Sequence, residues 1–578
     1  MKLRRIFPGL SLFSLLISLL ATGVVAQAPL EGPQLPARTS FYLIWHGSPA
    51  GEARKSNALM SLWDDPDFAP ARAAMAAAMI DNKKKPNDKP GLTRDEVAQY
   101  ATLLDNPFAF GYMPRREGAA AKTPAAKETA PAWNGMFFVY DRSGKEELLS
   151  KAVLRMRAND AEIPRVTEVT VAGVKALKFD RKSGTTYWAE TGKYAVAAGE
   201  ASVFEDVLER LAGKSPGGSL GESGAYKEAK PLLAGGLLEF FLQVPQIKNI
   251  AGDSDAASPQ IRALWNSLKL DSVHVFAGHI SLEGARTRLQ GGILGDTAEG
   301  SLFDIWPAGE KQPVSFGYVT PETVYYSESQ INLLGIYNII KRALTQPGSN
   351  MAGLVTTMEG AAQTRIGMTL PEAFALTTGE IATIQSSPSL DPDKRVFFAG
   401  IHNKPEALKL IRTILSDQVT SERSEGNVTY LKISLKGNQG TKGVAQWNFY
   451  HLAMTPDLLL GASKNETLRE VLAQPPATGM TSVPKTLQTA RAQFPEKLNG
   501  FSFVDLQKLD WPALKERWTA TVVKSAADPK SADAQQRVKQ VNDWMRDVNP
   551  GVFPKHLHSM TAASWKDASG VHFDQWVD

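Results

Sequence analysis

Two stretches of this chain share one pattern, and that pattern decides the fold. The first is FFVYDRSGKEELLSKAV, residues 137–153, and the second is FFAGIHNKPEALKLIRTIL, residues 397–415. Each begins with an aromatic run typical of a strand and continues into the apolar spacing of an amphipathic helix. A strand, a strand pair and a second helix follow in both places, the second helices reading VFEDVLERLA and NETLREVLA. The shared order of elements indicates an internal duplication.

The repetition extends to both sides of these stretches. Two further pairs of segments match in pattern: QLPARTSFYLIW (34–45) with VTPETVYYSES (319–329), and GGLLEFFLQVPQI (235–247) with NGFSFVDLQKLD (499–510). Each half then closes with a predicted strand pair. A period this long is typical of a duplicated domain rather than of a solenoid. The sequence therefore predicts two homologous halves, residues 35–307 and 320–578.

The order of strands and helices also predicts the fold class. The two kinds of element mix without the regular βαβ alternation of a doubly wound fold, so each half is predicted to be α+β, with antiparallel sheet covered by helices. The segment EGAAAKTPAAKETAPA, residues 117–132, lacks large apolar residues and is predicted to be a flexible insertion. WPAGEKQP, residues 306–313, is rich in Pro and Gly and is the predicted linker between the halves.

The N-terminus carries the features of a secretory signal. Three positive residues among the first five precede the apolar run LSLFSLLISLL, and a small-x-small site follows at Ala26–Gln27–Ala28. This arrangement predicts a signal peptide over residues 1–28 and a periplasmic or secreted protein. An uncleaved N-terminal anchor is the alternative, although the run is shorter than the ~20 residues that span a bilayer. No transmembrane segment is expected after cleavage.

Composition excludes several classes of function. The chain has no cysteine, which rules out disulfides, cysteine-ligated metals and thiol catalysis. Without the three positive residues of the predicted signal peptide, 61 of the 64 basic residues remain against 60 acidic ones. Nucleic-acid binding needs a concentrated basic face, so a nucleic-acid partner is not expected. No nucleotide motif is present, and no cofactor is predicted.

Catalytic candidates are few. His46 follows the predicted strand FYLIW and precedes Gly and Ser, and strand-end loops often carry function. Asp64 in WDDPDF and Glu96 in the next predicted helix are carboxylates that the fold could bring to it. The simpler interpretation of WDDPDF is that one aspartate caps a helix beginning near Pro70 while the others are solvated.

The histidines give one weak metal hypothesis. No H-E-x-x-H motif occurs, and no two histidines lie four residues apart on a predicted helix. His556 and His558 would share one face of a predicted strand and could bind a metal together. The alternative is that both are surface histidines at a strand end.

The chain resembles a family of exported bacterial proteins known as domain of unknown function 3352. The resemblance rests on a proline and a threonine before an apolar strand, at Pro36 and Thr39 and again at Pro321 and Thr323. It rests also on the later order of strand, helix, strand, hairpin and a helix such as VFEDVLERLA. The resemblance covers most of both halves and implies an exported α+β protein without a known catalytic set. It supplies no functional residues.

These observations favour a non-enzymatic binding or interaction protein of the bacterial cell envelope. Its partner would be an unidentified protein or a small apolar ligand, and a cleft between the halves is the expected place for it. The alternative is a hydrolase acting on envelope or extracellular material, with His46, Asp64 or Glu96 in its active site.

Overall fold

The structure is a computed structural model of the whole chain. It describes residues 30–72, 94–114, 135–159, 165–181, 184–214, 217–233, 235–246, 265–309, 312–345, 352–416, 418–434, 450–474, 483–525, 546 and 548–578. The predicted signal peptide and the predicted insertion at 117–132 lie outside the described residues.

Twenty described strands form one antiparallel sheet. In the first half these are β1 Phe41–Trp45, β2 Phe108–Tyr112, β3 Met136–Asp141, β4 Arg165–Val171, β5 Val174–Arg181, β6 Gly184–Thr191, β7 Tyr194–Ala198, β8 Leu238–Gln243, β9 Val273–Glu283 and β10 Arg286–Gly295. In the second half they are β11 Tyr325–Gln330, β12 Thr377–Gln385, β13 Arg395–Ile401, β14 Val419–Glu425, β15 Val428–Ile433, β16 His451–Met454, β17 Leu458–Ala462, β18 Gly500–Asp505, β19 Ser559–Asp567 and β20 Gly570–Val577.

Fourteen α-helices are described. They are α1 Gly51–Ser56, α2 Ala58–Asp64, α3 Arg94–Ala101, α4 Glu146–Asn159, α5 Ala201–Leu211, α6 Gly224–Ala229, α7 Leu333–Thr345, α8 Ala352–Ile366, α9 Leu370–Ala375, α10 Lys404–Ile414, α11 Asn465–Leu472, α12 Lys485–Arg491, α13 Trp511–Ser525 and α14 Phe553–His556. The protein is thus α+β, as the sequence predicts. Within the described ranges, no helix has both the length and the hydropathy needed to cross a bilayer.

Strand order is the same in both halves. The pairings run β4-β5-β6-β7-β3-β2-β1-β8-β9-β10 through the first half. They run β14-β15-β16-β17-β13-β12-β11-β18-β19-β20 through the second. Strand n of the first half therefore takes the place that strand n + 10 takes in the second.

The halves join edge to edge through β10 and β20, and the register of this seam has two-fold symmetry. Arg286 begins β10 and Gly570 begins β20, each after an equivalent hairpin turn. Equivalent positions of the two strands are therefore 284 residues apart in the sequence. Thr287 pairs with Val577, and Ile293 pairs with Val571. Val571 is the equivalent of Thr287, and Val577 is the equivalent of Ile293, so the two pairs are related by exchanging the halves. Gln290 pairs with its own equivalent, Asp574. The halves meet in a continuous sheet here rather than across an open cleft.

The same separation holds at the first strand of each half. Phe41 pairs with Tyr112 and Leu242, and Tyr325 pairs with Gln385 and Val504. The turns before these strands also agree, because the backbone N–H of Thr39 and that of Thr323 each donate to the carbonyl three residues earlier, at 2.9 and 3.0 Å. The proline–threonine pattern read from the sequence therefore marks the same turn in both halves.

The sequence alignment of β3 with β13 is wrong by one residue. Met136 pairs with Tyr112, and Arg395 pairs with Gln385, which occupies the place of Tyr112. Phe137 is therefore equivalent to Val396. The repeated FF in the sequence aligns Phe137 with Phe397 instead. Side chains alternate between the faces of a strand, so a slip of one residue exchanges buried and exposed positions. Phe137 and Val396 are indeed both buried.

Helices cover one face of the sheet, which we call the inner face. It carries Tyr42 in the first half and Tyr326 in the second, both fully buried. Helices α5 and α6 close the core over Tyr42, and α11 and α12 close the core over Tyr326. The opposite face, which we call the outer face, receives the segments inserted after β1, of which α2 packs on residues of both halves.

Candidate functional site

His46 lies directly after β1, on the side of the inner face. Its backbone N–H donates to Leu237 O at 2.9 Å, and its Nε2 is 3.5 Å from Glu239 Oε1. In the second half, Gln330 makes the same backbone bond, to Asn499 O at 2.7 Å. The position equivalent to His46 is therefore Gln330. Glu239 is a neighbour that sequence reasoning missed, because strand pairing and not chain proximity brings it to His46.

The aspartates of WDDPDF are all engaged by other groups of the protein. Asp64 accepts two hydrogen bonds from Arg54, at 2.6 and 2.7 Å. Asp65 accepts the backbone N–H of Asp67 at 2.8 Å and so caps a 3₁₀ turn beginning at Pro66. The predicted helix cap is thus present but lies earlier than Pro70, and Asp64 is paired rather than merely solvated.

Asp65 and Asp67 also join the two halves. His556 Nε2 lies 2.8 Å from Asp65 Oδ2, and Lys555 Nζ lies 2.7 Å from Asp67 Oδ2. The hydrogen bond from His556 holds the pKa of the Asp65 carboxyl below its usual value. This acidic turn therefore docks α14 of the second half onto the first half, which is a structural role.

The contacts of His46 and Asp64 lead to different partners. His46 approaches Glu239, and Asp64 is occupied by Arg54. Glu96 lies in helix α3. A catalytic role for any of the three stays a prediction, and the pairing of Asp64 with Arg54 gives that carboxylate a structural role instead.

The metal hypothesis for His556 and His558 requires a correction. His556 ends helix α14, and β19 begins only at Ser559, so the two histidines do not share a strand face. His556 is turned to Asp65, whereas His558 is exposed and its backbone N–H donates to Asp578 O. A helix end replaces the predicted strand because Pro554 suits the first turn of a helix. Among the described residues, no group of three or more His, Asp or Glu side chains could hold a metal.

One serine, histidine and aspartate do meet, at the β19–β20 turn. Ser569 Oγ and Asp567 Oδ2 each lie 3.1 Å from His572 Nε2. In a catalytic triad the serine and the acid engage opposite ring nitrogens, which lets the acid orient the base. Here both use the same nitrogen, and Ser569 Oγ also donates to Asp567 Oδ1 at 2.6 Å. The cluster stabilises a hairpin turn and does not support hydrolysis.

The outer face of the first half has a different character. It is lined by apolar and aromatic side chains from adjacent strands, several of them only partly buried: Phe41, Leu43, Phe110, Tyr112, Leu242, Phe276 and, from β20, Phe573. We call this set the aromatic surface. Phe41 meets Phe110 edge to face at 6.0 Å, and Phe276 lies 6.1 Å from Phe573 across the seam.

Two glycines lie beneath aromatic rings of the outer face, close to the β10–β20 pairing that joins the halves. Gly278 of β9 and Gly291 of β10 pair directly. The ring of Phe240 lies against Gly278, and that of Phe573 lies against Gly291, so a Cβ at either glycine would clash with a ring. Rings laid over glycines in a sheet stabilise the strand pairing. The aromatic surface is therefore continuous across the join between the halves.

Helix α2 covers only one side of the outer face. Met60 packs with Trp45, Leu238 and Ile280 in one buried cluster. Phe41, Phe110, Tyr112, Phe276 and Phe573 belong to none of the buried clusters and keep part of their surface. A contiguous, partly exposed apolar patch is a candidate binding surface.

Five outer-face positions of the first half correspond to serine or threonine in the second, whereas Phe41, Leu242 and Phe276 of the aromatic surface correspond to Tyr325, Val504 and Met560. Ser327 takes the place of Leu43, Thr383 that of Phe110, Ser502 that of Phe240, Ser329 that of Trp45 and Ser564 that of Ile280. The sequence contained a signal for this difference, because FYLIW aligns with YYSES and LEFFLQ with GFSFVD. One side of the same fold thus carries an aromatic surface in one half and hydroxyl groups in the other.

A small cavity of about 240 Å³ lies at the far end of the first half. It is bounded by the turns of the β4–β5 and β6–β7 hairpins and by the end of helix α5, including Lys193, Lys214 and Leu208. Lys193 is already paired with Asp141 at 2.9 Å. The cavity is smaller than the roughly 300–1,000 Å³ usual for ligand sites, so the aromatic surface is the stronger candidate.

Comparison with known proteins adds no relative. No protein-family model matches the chain. No curated protein matches it either.

Proposed function

We propose that this is an exported, non-enzymatic binding protein of the bacterial cell envelope, and that its aromatic surface binds an apolar ligand. The observation that carries the proposal is the partial exposure of Phe41, Phe110, Tyr112, Phe276 and Phe573 on one continuous face. Removing apolar surface from water stabilises a complex by roughly 25 cal/mol for each Å². A bound apolar group would cover rings that the described helices leave partly uncovered.

The proposal includes descent of the two halves from one domain, as in the resemblance to domain of unknown function 3352. Its support is the identical strand order of β1–β10 and β11–β20 together with the constant separation of 284 residues at β1 and at the seam. Independent sequences would have no reason to agree in both respects. Export is supported by the signal-like segment of residues 1–28.

Comparison of the two halves supports a binding role for the aromatic surface. Some positions that serve the fold keep the same side chain in both halves, as Tyr42 and Tyr326 do. Leu43 and Phe110 correspond instead to Ser327 and Thr383. The fold therefore tolerates hydroxyl side chains at these positions, and their apolar character in the first half calls for another explanation, which ligand binding supplies.

The hydrolase alternative has weaker support. Of its candidates, Asp64 is paired with Arg54, and His46 has an acidic neighbour, Glu239, with its Nε2 3.5 Å from Oε1. The cluster of Ser569, His572 and Asp567 lacks the geometry of a catalytic triad, because the serine and the aspartate approach the same ring nitrogen.

The test exchanges the chemistry of the two halves. We expect the mature protein to bind the fluorescent apolar probe Nile red, and the double variant Leu43→Ser/Phe110→Thr to bind it at least tenfold more weakly. These two residues are cross-strand neighbours, and the substitutes already occupy the equivalent positions in the second half. Titration of probe fluorescence gives the dissociation constants.

A matched control removes an exposed aromatic elsewhere. Tyr450 is 41% exposed and lies before β16, so Tyr450→Ser should leave probe binding unchanged. Thermal unfolding must show that all variants remain folded. Unchanged affinity in a folded Leu43→Ser/Phe110→Thr protein would refute the assignment of the ligand to the aromatic surface.

A further inference from the structure

The hydroxyl groups of the second half form a second surface that adjoins the aromatic surface. We call Ser327, Ser329, Thr383, Ser502 and Ser564 the hydroxyl surface. They lie on four adjacent strands, β19, β18, β11 and β12, and all are partly exposed. Ser502, Ser327 and Thr383 follow one another across three strands, and Ser564 and Ser329 flank Gly500 in the next row.

These hydroxyl groups are available to a ligand. Among the described residues, none of the five has a hydrogen-bond partner for its side chain. Gly500 leaves a notch between two of them, since a methyl group there would lie 2.9 Å from Ser564 Oγ and 3.8 Å from Ser329 Oγ. Ile381, which pairs with Ser329, is 40% exposed, so this part of the face is open to solvent.

The hydroxyl surface contains no charged side chain. The nearest cation in its strands is Lys566, whose Nζ donates to the carbonyls of Phe303 and Trp306 at 2.8 and 3.1 Å. Burial lowers the pKa of Lys566. A ligand group that suits this surface is therefore uncharged and rich in hydrogen-bonding groups, because an ionic group would lose its hydration without gaining a counter-charge.

The two surfaces touch at one residue pair. Ser564 of β19 lies directly opposite Phe573 of β20. From Phe110 on β2 to Phe573 on β20 the aromatic surface extends over five strand spacings, roughly 24 Å. The hydroxyl surface begins one strand further, on β19, and itself extends over three spacings to β12, roughly 14 Å. Apolar and hydroxylic recognition are thus placed end to end on one face.

We infer that the ligand is an amphiphile: its apolar chain lies on the aromatic surface, and its uncharged, hydroxyl-bearing headgroup lies on the hydroxyl surface. This inference rests on the proposed function and specifies the class of ligand. Serine and threonine hydroxyls donate and accept, so they pair with the hydroxyls of such a headgroup without a change in protonation. No covalent step is involved.

The experiment compares two amphiphiles with the same dodecyl chain length, each used below its critical micelle concentration. Dodecyl maltoside carries an uncharged hydroxylated headgroup, and dodecanoate at pH 8 carries a carboxylate. We expect isothermal titration calorimetry to give at least tenfold tighter binding of dodecyl maltoside to the full mature chain. The double variant Ser327→Ala/Ser502→Ala should bind dodecyl maltoside about tenfold more weakly, because it loses hydrogen bonds to the headgroup.

Nile red separates this inference from the proposed function. The Ser327→Ala/Ser502→Ala variant should keep wild-type affinity for Nile red, and Ser421→Ala on exposed strand β14 should change nothing. If Nile red binds but the headgroup makes no difference, or the double variant keeps its affinity for dodecyl maltoside, the amphiphile assignment is wrong and the apolar site stands. If neither probe nor amphiphile binds the wild type, both proposals fall together.

Discussion

The core of the second half contains a buried charge pair whose removal has a calculable effect. Arg491 Nη1 lies 2.8 Å from Glu328 Oε1, with side chains only 8% and 4% exposed. Tyr326 donates to the same carboxylate through its hydroxyl. The guanidinium is held between the rings of Phe316 and Phe501, each 5.2 Å away. Burial raises the pKa of the Glu328 carboxyl, and Arg491 opposes that rise.

The first half shows what this position looks like without charge. The residue equivalent to Glu328 is Ile44, which is fully buried. Glu328→Ile removes the carboxylate and leaves the Arg491 guanidinium in the core without its counter-charge. Breaking a buried pair from one side destabilises a protein by about 3–5 kcal/mol. Both side chains here are almost fully buried, so screening by solvent does not reduce this range.

Removing both charges should have a much smaller effect. Replacement of a buried ion pair by apolar residues of similar volume is often neutral. Glu328→Ile/Arg491→Met should therefore be more stable than Glu328→Ile alone, by at least about 2 kcal/mol. The coupling arises because each single variant removes one member of the buried charge pair and leaves the other charge in place.

Urea unfolding followed by tryptophan fluorescence measures these differences through the transition midpoint at constant slope. Exposed Lys394, paired with Glu470 at 3.1 Å, offers the matched control, since Glu470→Gln should change stability by less than about 1 kcal/mol. Additive effects of Glu328→Ile and Arg491→Met, with the double variant least stable of all, would refute the reasoning.

Two further predictions concern the join between the halves. Asp65 has a lowered pKa because of its hydrogen bond with His556. The stabilisation that this pair gives the folded protein is therefore present above the unfolded pKa of 3.8 and disappears as the pH falls below it. The melting temperatures of the wild type and Asp65→Asn should differ most above that pH and converge in acid. Gly291→Ala should destabilise the protein by about 1–3 kcal/mol, because the new Cβ would meet the Phe573 ring and Ala277 O. As the control, Gly360→Ala in helix α8 has open space around it and should stabilise the protein by up to about 1 kcal/mol in the same urea assay. A neutral Gly291→Ala would contradict the described packing at the seam.

The sequence predicted the fold class because local patterns carry it. The aromatic run FFVYD became β3, and the helix signal of VFEDVLERLA became α5, which buries Val203, Phe204 and Val207. Both depend on periodicity within one element, which a chain shows without its partners. The alignment of Phe137 with Phe397 failed by one residue, because the register of strands is set by pairing across the sheet rather than by residue identity.

The candidate site was harder to predict, for the same reason. His46 and the acidic turn were predicted as isolated polar residues, yet their partners Glu239 and His556 come from distant parts of the chain, and Arg54 comes from the preceding helix. The prediction that His556 and His558 share one face of a strand failed because the chain is still helical at His556.

By itself the sequence determined that the protein has no cysteine chemistry and that it mixes helices with antiparallel strands, and it predicted that its elements recur in two places. These are properties of composition and of short-range order. Only the tertiary structure decided that the halves share one sheet, because the register of Gln290 with Asp574 is a contact between distant residues. It also decided which side of each strand faces outward, and so placed Phe573 beside Ser564 where the aromatic and hydroxyl surfaces meet. A sequence carries the chemistry of each side chain, but its neighbours across a sheet depend on how every intervening strand is paired.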